Sequence, residues 1–383
     1  MVLLFNEGVE LMVNEQRLVD EFLGLVQVDS ESKSEAAIAK VLKEKFTALD
    51  VEVFEDDSPT RTGQEAGNLI CTLKGNKPGA RPIYFTCHMD TVNPGKGVKP
   101  TIKDGVIATD ETTILGADDK AGIAALLEAV RVLKENEISH GDIQFIITVS
   151  EEIGLVGSGA MDSSLLNAEF GYAIDSSGSV GEIIVAAPTQ AKIVAKVYGK
   201  TAHAGVEPEK GISAITIAAN AIANMPLGRI DEELTANIGT INGGTATNVV
   251  CDYVEVVAEA RGLVAEKMEK QAQLMKEAFE KAAVEMGGKA DVEVTVLYAG
   301  YKLGHGDQVV EVAKRAAQKI GLKPKLMKSG GGSDANVFSG FGIPTVNLAV
   351  GYEDIHTINE KMPISELVKI TEMIVAVIET ATE

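Results

Sequence analysis

The sequence predicts an α/β fold interrupted by a smaller α+β unit of ferredoxin-like β-α-β-β-α-β order. Three observations carry this. Short, almost wholly apolar runs alternate with helix-period segments over the first half of the chain, as in a sheet covered by helices on its faces. In the middle, half-polar strands and two helices follow one another in the β-α-β-β-α-β order. After Gly300 the first pattern resumes. A chain of 383 residues exceeds what one ordinary core organises. The larger domain is therefore expected to be discontinuous, residues 1–187 plus 299–383, with residues 188–298 inserted.

Each element has its own signal. Apolar positions at helical spacing run from about Asn14 to Leu49. Arg81–Cys87, Ile143–Val149 and the shorter Phe170–Ile174 are apolar runs fit for buried strands. Asp119–Glu135 places Ile123, Leu126, Leu127, Val130 and Leu133 on one helical face. Ala191–Tyr198 alternates as a half-exposed strand does. A helix is expected over Ile212–Asn224, strands over Ala236–Ile241 and Val249–Ala260, a charged amphipathic helix over Lys267–Met286, and a strand over Asp291–Leu297. The last part reads as a helix over Val309–Lys319, a turn at Gly330–Ala335, a strand at Thr345–Val350 and a helix over Ile364–Thr380.

Composition narrows the function. Against 35 basic residues stand 56 acidic ones, a formal net charge of -21, which repels nucleic acid and anionic membrane. The opening Met1–Gln16 has no basic region before its acids and does not read as a signal peptide. No apolar run approaches the roughly 20 residues that span a bilayer. Cys71, Cys87 and Cys251 suggest no disulfide framework. A reduced, cytoplasmic protein is expected.

Candidate chemistry collects just after the expected strands, where open α/β sheets build their sites. His88-Met-Asp90 follows one strand, Glu151-Glu152 another, Asp175 a third, and His356 comes shortly after the strand ending near Val350. Asp118 stands at the start of a helix. Singly, each has an ordinary explanation: Asp118 as a helix cap, a histidine as a loop residue, paired glutamates as solvated surface. But carboxylates leaving an apolar strand repel one another and suffer desolvation unless a cation compensates them. Together they point to a metal site. Two histidines and several carboxylates suit zinc, with cobalt or manganese as substitutes. A bridging carboxylate commonly joins two such ions, and a further carboxylate close by can serve as general base.

The motifs H-M-D at 88–90, G-A-D-D-K at 116–120, S-E-E at 150–152, I-D-S at 174–176 and D-I-H at 354–356 resemble, in order and over nearly the whole chain, those of the M20 metallopeptidases. Within that family Leu115–Gly122 and the S-E-E-I-G-L-x-G-S stretch look most like the peptidase T (tripeptide aminopeptidase) branch. The resemblance implies a zinc-exopeptidase-like catalytic domain with an inserted lid and dimerisation domain. It implies two zinc ions per subunit, one held by His88, Asp118 and Asp175, the other by Asp118, Glu152 and His356, with Asp118 bridging. Asp90 would fix the His88 tautomer by hydrogen bonding. Glu151 would be the general base on the zinc-activated water and later protonate the leaving amine. His203, in Lys200–Gly205, matches the histidine that reaches a partner's active site in dimeric members. Asn248, Arg261 and the glycine-rich loop with Gly331 and Ser333 match substrate-binding segments. His140 and His305 read as surface residues.

Three functions are thereby set in competition. The favoured one is an aminopeptidase acting on short peptides, foremost tripeptides, as a homodimer. The second is a carboxypeptidase or N-acyl amino acid deacylase, since one metal core serves all of these. The third, a peptide-binding protein with a dead site, fits poorly with an intact ligand set and an intact Glu151.

Overall fold

The computed structural model describes residues 13–383; Met1–Met12, part of the start read above as carrying no leader, lie outside the described residues. The chain divides into two compact units. The first comprises the chain up to Val185, Leu303–Lys328 and Ser333–Glu383; the second comprises Ala186–Lys302 and Ser329–Gly332. The chain thus passes into the second unit two residues before the expected boundary and leaves it four residues after. Tyr301 and Lys302 pair with Ala187 and Ala186, and Gly300 donates to Thr189 Oγ1 at 2.8 Å, so the returning segment is tied to the departing one. The tip of the glycine-rich loop groups with the second unit through Ser329, whose N–H donates to Ala186 O.

In the first unit four parallel strands form the centre of a sheet in the order Ile143–Thr148, Ile83–His88, Phe170–Ser176, Thr345–Ala349. Antiparallel strands flank them, Leu69–Leu73 and Glu52–Glu55 on one side and Glu182–Ala187 on the other. Successive residues of a strand face opposite ways, and here both faces are buried. Ile83, Phe85 and Cys87 join the main core, which includes helices Glu15–Val26, Ala117–Glu135 and Ile364–Thr382. Tyr84 points the other way, into a smaller cluster with Ile70, Ile146 and Phe338. This two-sided burial is why the strands read as continuous apolar runs rather than as alternation. Parallel pairing brings the carboxyl ends of the central strands to one edge, and the candidate ligands with them.

The second unit runs as strand Thr189–Tyr198, helix Ala214–Ala223, strands Leu234–Gly243 and Tyr253–Gly262, helix Ala265–Glu285 and strand Lys289–Tyr298. These form one antiparallel sheet, ordered 234–243, 253–262, 189–198, 289–298, with the short strand Gly228–Arg229 outside the first of them. Ala191, Ile193, Ala195 and Val197 pack with Ile217, Met275 and Phe279 of the helices; the intervening Lys192 and Lys196 are exposed. One covered face explains the clean alternation read from this stretch.

The helices expected over Asn14–Leu49 are Glu15–Val26 and Ala36–Ala48, parted by a loop at 28–35. Two expectations are amended by the structure. The turn at Gly330–Ala335 runs into an unexpected helix, Asp334–Gly340. His140 is buried rather than on the surface: its Nδ1 lies 2.8 Å from Gly141 O and the Asn76–Lys77 turn donates to its carbonyl. His305 is exposed as expected. Among the described residues no helix is long and apolar enough to cross a membrane.

Candidate metal centre

At the carboxyl edge of the first unit's sheet, His88 ends its strand with its side chain 2% exposed. Its Nε2 lies 3.1 Å from Asp118 Oδ1 and 3.8 Å from Asp175 Oδ1. Asp118 turns its other oxygen, Oδ2, to His356 Nε2 at 3.2 Å, and the same nitrogen is 3.0 Å from Glu152 Oε1. Asp118 and Asp119 keep non-helical backbone angles within the segment Ala117–Glu135, so the regular helix begins after them. Asp118 is therefore a loop carboxylate rather than a cap. Two groups have donor atoms close enough to share an ion: His88, Asp118 and Glu152, and His88, Asp119 and Asp175.

The chemistry of this donor set fits a metal. Asp118, Asp119, Glu152 and Asp175 converge with Glu151 adjacent, yet among the described residues no ion pair brings a lysine or arginine to them; only the imidazoles do. Burial pushes the carboxyl groups of Asp119, Glu151 and Asp175 well above the usual range, with Asp118 adding repulsion on both Asp119 and Asp175. Burial also opposes charge on Asp118, but His356 and His88 outweigh it and hold its carboxyl low. Asp118 and Glu152 in turn draw the His356 imidazolium up to about 10. Such a cluster gathers protons until a cation takes their place.

Supporting contacts orient these groups. His88 Nδ1 is 2.9 Å from the backbone carbonyl of Asp90, while the Asp90 carboxylate is 3.5 Å away. Asp90 thus meets His88 Nδ1 foremost through its backbone carbonyl. The carboxylate instead accepts the N–H groups of Glu151 at 2.9 Å and Glu152 at 3.3 Å, and the Ser32 hydroxyl at 2.6 Å. It braces the two glutamates, and the 28–35 loop braces it. Asn347 clamps Asp175, accepting its N–H at 2.9 Å and donating to its carbonyl at 2.7 Å; Tyr352 Oη donates to Asp175 Oδ1 at 3.3 Å. Glu360 accepts three backbone N–H groups from the Leu115–Asp118 segment. Asn347, Tyr352, Glu360 and Asp119 were not singled out from sequence: each acts on residues remote along the chain, or lay beside a stronger candidate.

The remaining candidates divide between the units. His203 and Asn248 are exposed neighbours in the second, where His203 pairs with Val249 and the Ala204 N–H donates to Asn248 O. Arg261 is held by Glu259 through Nε at 2.9 Å and Nη2 at 3.0 Å. A Cβ on Gly331 would lie an ordinary 3.9 Å from its Nη1, whereas one on Gly332 would strike the Tyr298 ring at 2.3 Å, so the loop tip needs glycine at 332. Ser333 belongs to the first unit, buried, accepting from Asn347 Nδ2 at 3.1 Å.

Residues 84–380 match the family model described as Peptidase family M20/M25/M40. The chain belongs to the M20 peptidase family. This M20 peptidase is 66% identical to a crystal structure of the aminopeptidase PepT from Bacillus cereus ATCC 10987, over 97% of this chain and 100% of that one, with a TM-score of 0.90. It is 50% identical to a tripeptidase from Staphylococcus aureus subsp. aureus Mu50, over 97% and 100% of the two chains, with a TM-score of 0.94. It is 67% identical to the Bacillus subtilis (strain 168) protein YqjE over 97% of this chain and 100% of that protein. The M20 peptidase is thus a peptide-hydrolysing enzyme of the peptidase T type.

Proposed function

We propose that this M20 peptidase removes the N-terminal residue from short peptides, tripeptides foremost, with two zinc ions at the strand ends. The observation that carries the reading is the division of Asp118, whose two oxygens face different imidazoles, Oδ1 toward His88 and Oδ2 toward His356. A carboxylate so placed suits a bridge between two ions. His88 and Asp175 would complete one site and Glu152 and His356 the other, with cobalt or manganese as workable substitutes. Asp119, whose Oδ2 accepts the His88 N–H at 3.3 Å, backs the site. Zinc held there supplies positive charge that polarises the peptide carbonyl and acidifies the attacking water.

Glu151 takes a proton from that water on its carboxylate and returns it to the nitrogen of the leaving amine. Burial raises its affinity for the proton, the direction a general base needs. Asp90 fixes the Glu151 backbone. His203, Asn248, Arg261, Gly331 and Ser333 are the candidates for substrate binding, and the second unit, read as a ferredoxin-like lid, would join two subunits in a dimer. Three buried cysteines free of disulfides suit a reducing, cytoplasmic setting.

Arg261 supports a second reading, in which a free carboxylate of a carboxypeptidase or deacylase substrate docks on it. Its guanidinium is already engaged by Glu259, which favours the first. Hydrolysis of a panel of di-, tri- and N-acyl peptides with zinc, cobalt or manganese supplied decides between them. Release of the N-terminal residue from tripeptides is expected. Release of C-terminal residues, or cleavage of N-acyl amino acids alone, would overturn the assignment.

A further inference from the structure

We propose that Glu360 is a positioning residue that sets the Asp118 carboxylate and the His356 imidazole against one another, and thereby fixes the site's affinity for its metal. The inference rests on the reading of Asp118 and His356 as ligands. Glu360 is 2% exposed. Its Oε2 accepts the N–H groups of Leu115 at 2.8 Å and Gly116 at 2.7 Å, and its Oε1 accepts that of Asp118 at 3.0 Å. One side chain thus holds the backbone that presents Asp118.

The same residue closes the turn that presents His356. Glu360 N–H donates to Thr357 O at 3.1 Å, Thr357 Oγ1 donates to Asp354 O at 2.7 Å, and Glu353 and Lys361 exchange backbone bonds at 2.9 and 3.1 Å. Beyond it, Lys361–Pro363 pairs with Val106–Ala108. Within the turn Asp354 and His356 hold positive φ, 55° and 62°, a conformation uncommon outside glycine and secured here by the turn's hydrogen bonds. His356 is therefore aimed by a braced turn.

A carboxylate suits this place because it is acceptor-only, with lone pairs for three donors. Glutamine would set its NH₂ against one of the three N–H groups. On the other side Gly116, at φ +76°, turns successive N–H groups toward one anion, and a Cβ there would meet Thr91 Cγ2 at 3.2 Å. Glu360 and Gly116 form two halves of one device, and either can be changed without touching a ligand.

The test measures zinc affinity by competition with a chromophoric chelator on full-length Glu360→Gln and Gly116→Ala, each first shown to be folded by circular dichroism. Both are expected to bind zinc at least about tenfold more weakly, the scale seen when partners that orient metal ligands are removed. Their cobalt-loaded forms should show altered visible absorption, and activity lost at limiting zinc should return at saturation. Should Glu360→Gln fail to fold, Gly116→Ala decides alone. Wild-type affinity in the folded variants would overturn the proposal. Asp118→Asn is the control for the underlying reading: if it binds zinc like the wild type, the ligand assignment itself fails.

Discussion

Two adjacent glutamates leave one strand and meet different fates. Glu152 reaches His356 and lies among the carboxylates, whereas Glu151 belongs to neither group of donors that could share an ion. Replacement of Glu151 should therefore spare metal binding and remove proton transfer. Glu151→Ala is expected to keep the wild-type zinc content while kcat falls by about 10²–10⁴-fold, measured by elemental analysis alongside steady-state kinetics. Near-normal turnover would remove Glu151 from its role. The residues that showed in the sequence did so because acids and histidines stood directly after apolar runs. Asn347, Tyr352 and Glu360 did not, because their importance lies in hydrogen bonds to partners far away in the chain: Glu360 is separated from Leu115 by 245 positions. For Asp90 the spacing pointed to a contact with His88 but not to the atom that makes it, the backbone carbonyl.

Helices carry the second scale of organisation. Helix Glu15–Val26 is sewn to helix Ala117–Glu135 by Arg17, whose Nε and Nη2 each lie 2.8 Å from the Glu128 carboxylate. Glu128 is fully buried, while Arg17 is 31% exposed. The bidentate bond keeps a charge inside the core, and its loss leaves that charge uncompensated apart from Arg131 at 3.5 Å. Arg17→Ala is expected to cost about 2–3 kcal/mol, less than the ~3–5 of a fully sequestered pair, read from urea denaturation midpoints. Adding Glu128→Gln should cost less in the variant than in the wild type, as coupled partners do. A loss under about 0.5 kcal/mol would show that Arg17 is dispensable to Glu128. The helices themselves were legible: Asn14 caps the first, accepting the Arg17 N–H at 3.0 Å. The short strands Glu52–Glu55 and Leu69–Leu73 escaped notice because so few residues carry little periodicity, and their pairing partners lie elsewhere in the chain. Helix Asp334–Gly340 was hidden behind the glycines that precede it.

For the whole molecule, the proposed dimer makes a sharper demand than its mass. If His203 of one subunit serves the site of the other, Glu151→Ala and His203→Ala are complementary defects. Mixed after gentle dissociation, the two inactive proteins should form heterodimers with one complete site, recovering about a quarter of wild-type activity for random pairing across a two-fold axis. Activity of His203→Ala alone, or no recovery on mixing while heterodimers form, would remove His203 from the site. The sequence showed the insertion because periodicity changed when it began and changed back when it ended. It placed the edges a few residues short, since the strand Glu182–Ala187 runs on into the second unit without a break in pattern.

The candidate ligands are also ordered in time. A ribosome delivers His88, Asp118, Glu152 and Asp175 early, then the whole second unit, and His356 close to the end. At translation rates of about 5–20 residues per second, the carboxylates wait on the order of ten seconds or more for the second imidazole. The turn that aims it and the final helix arrive in the same short interval. If His356 is a ligand, hydrolytic competence waits on the segment that carries it: nascent polypeptide that stops short of that segment holds most of the donors and none of the closure.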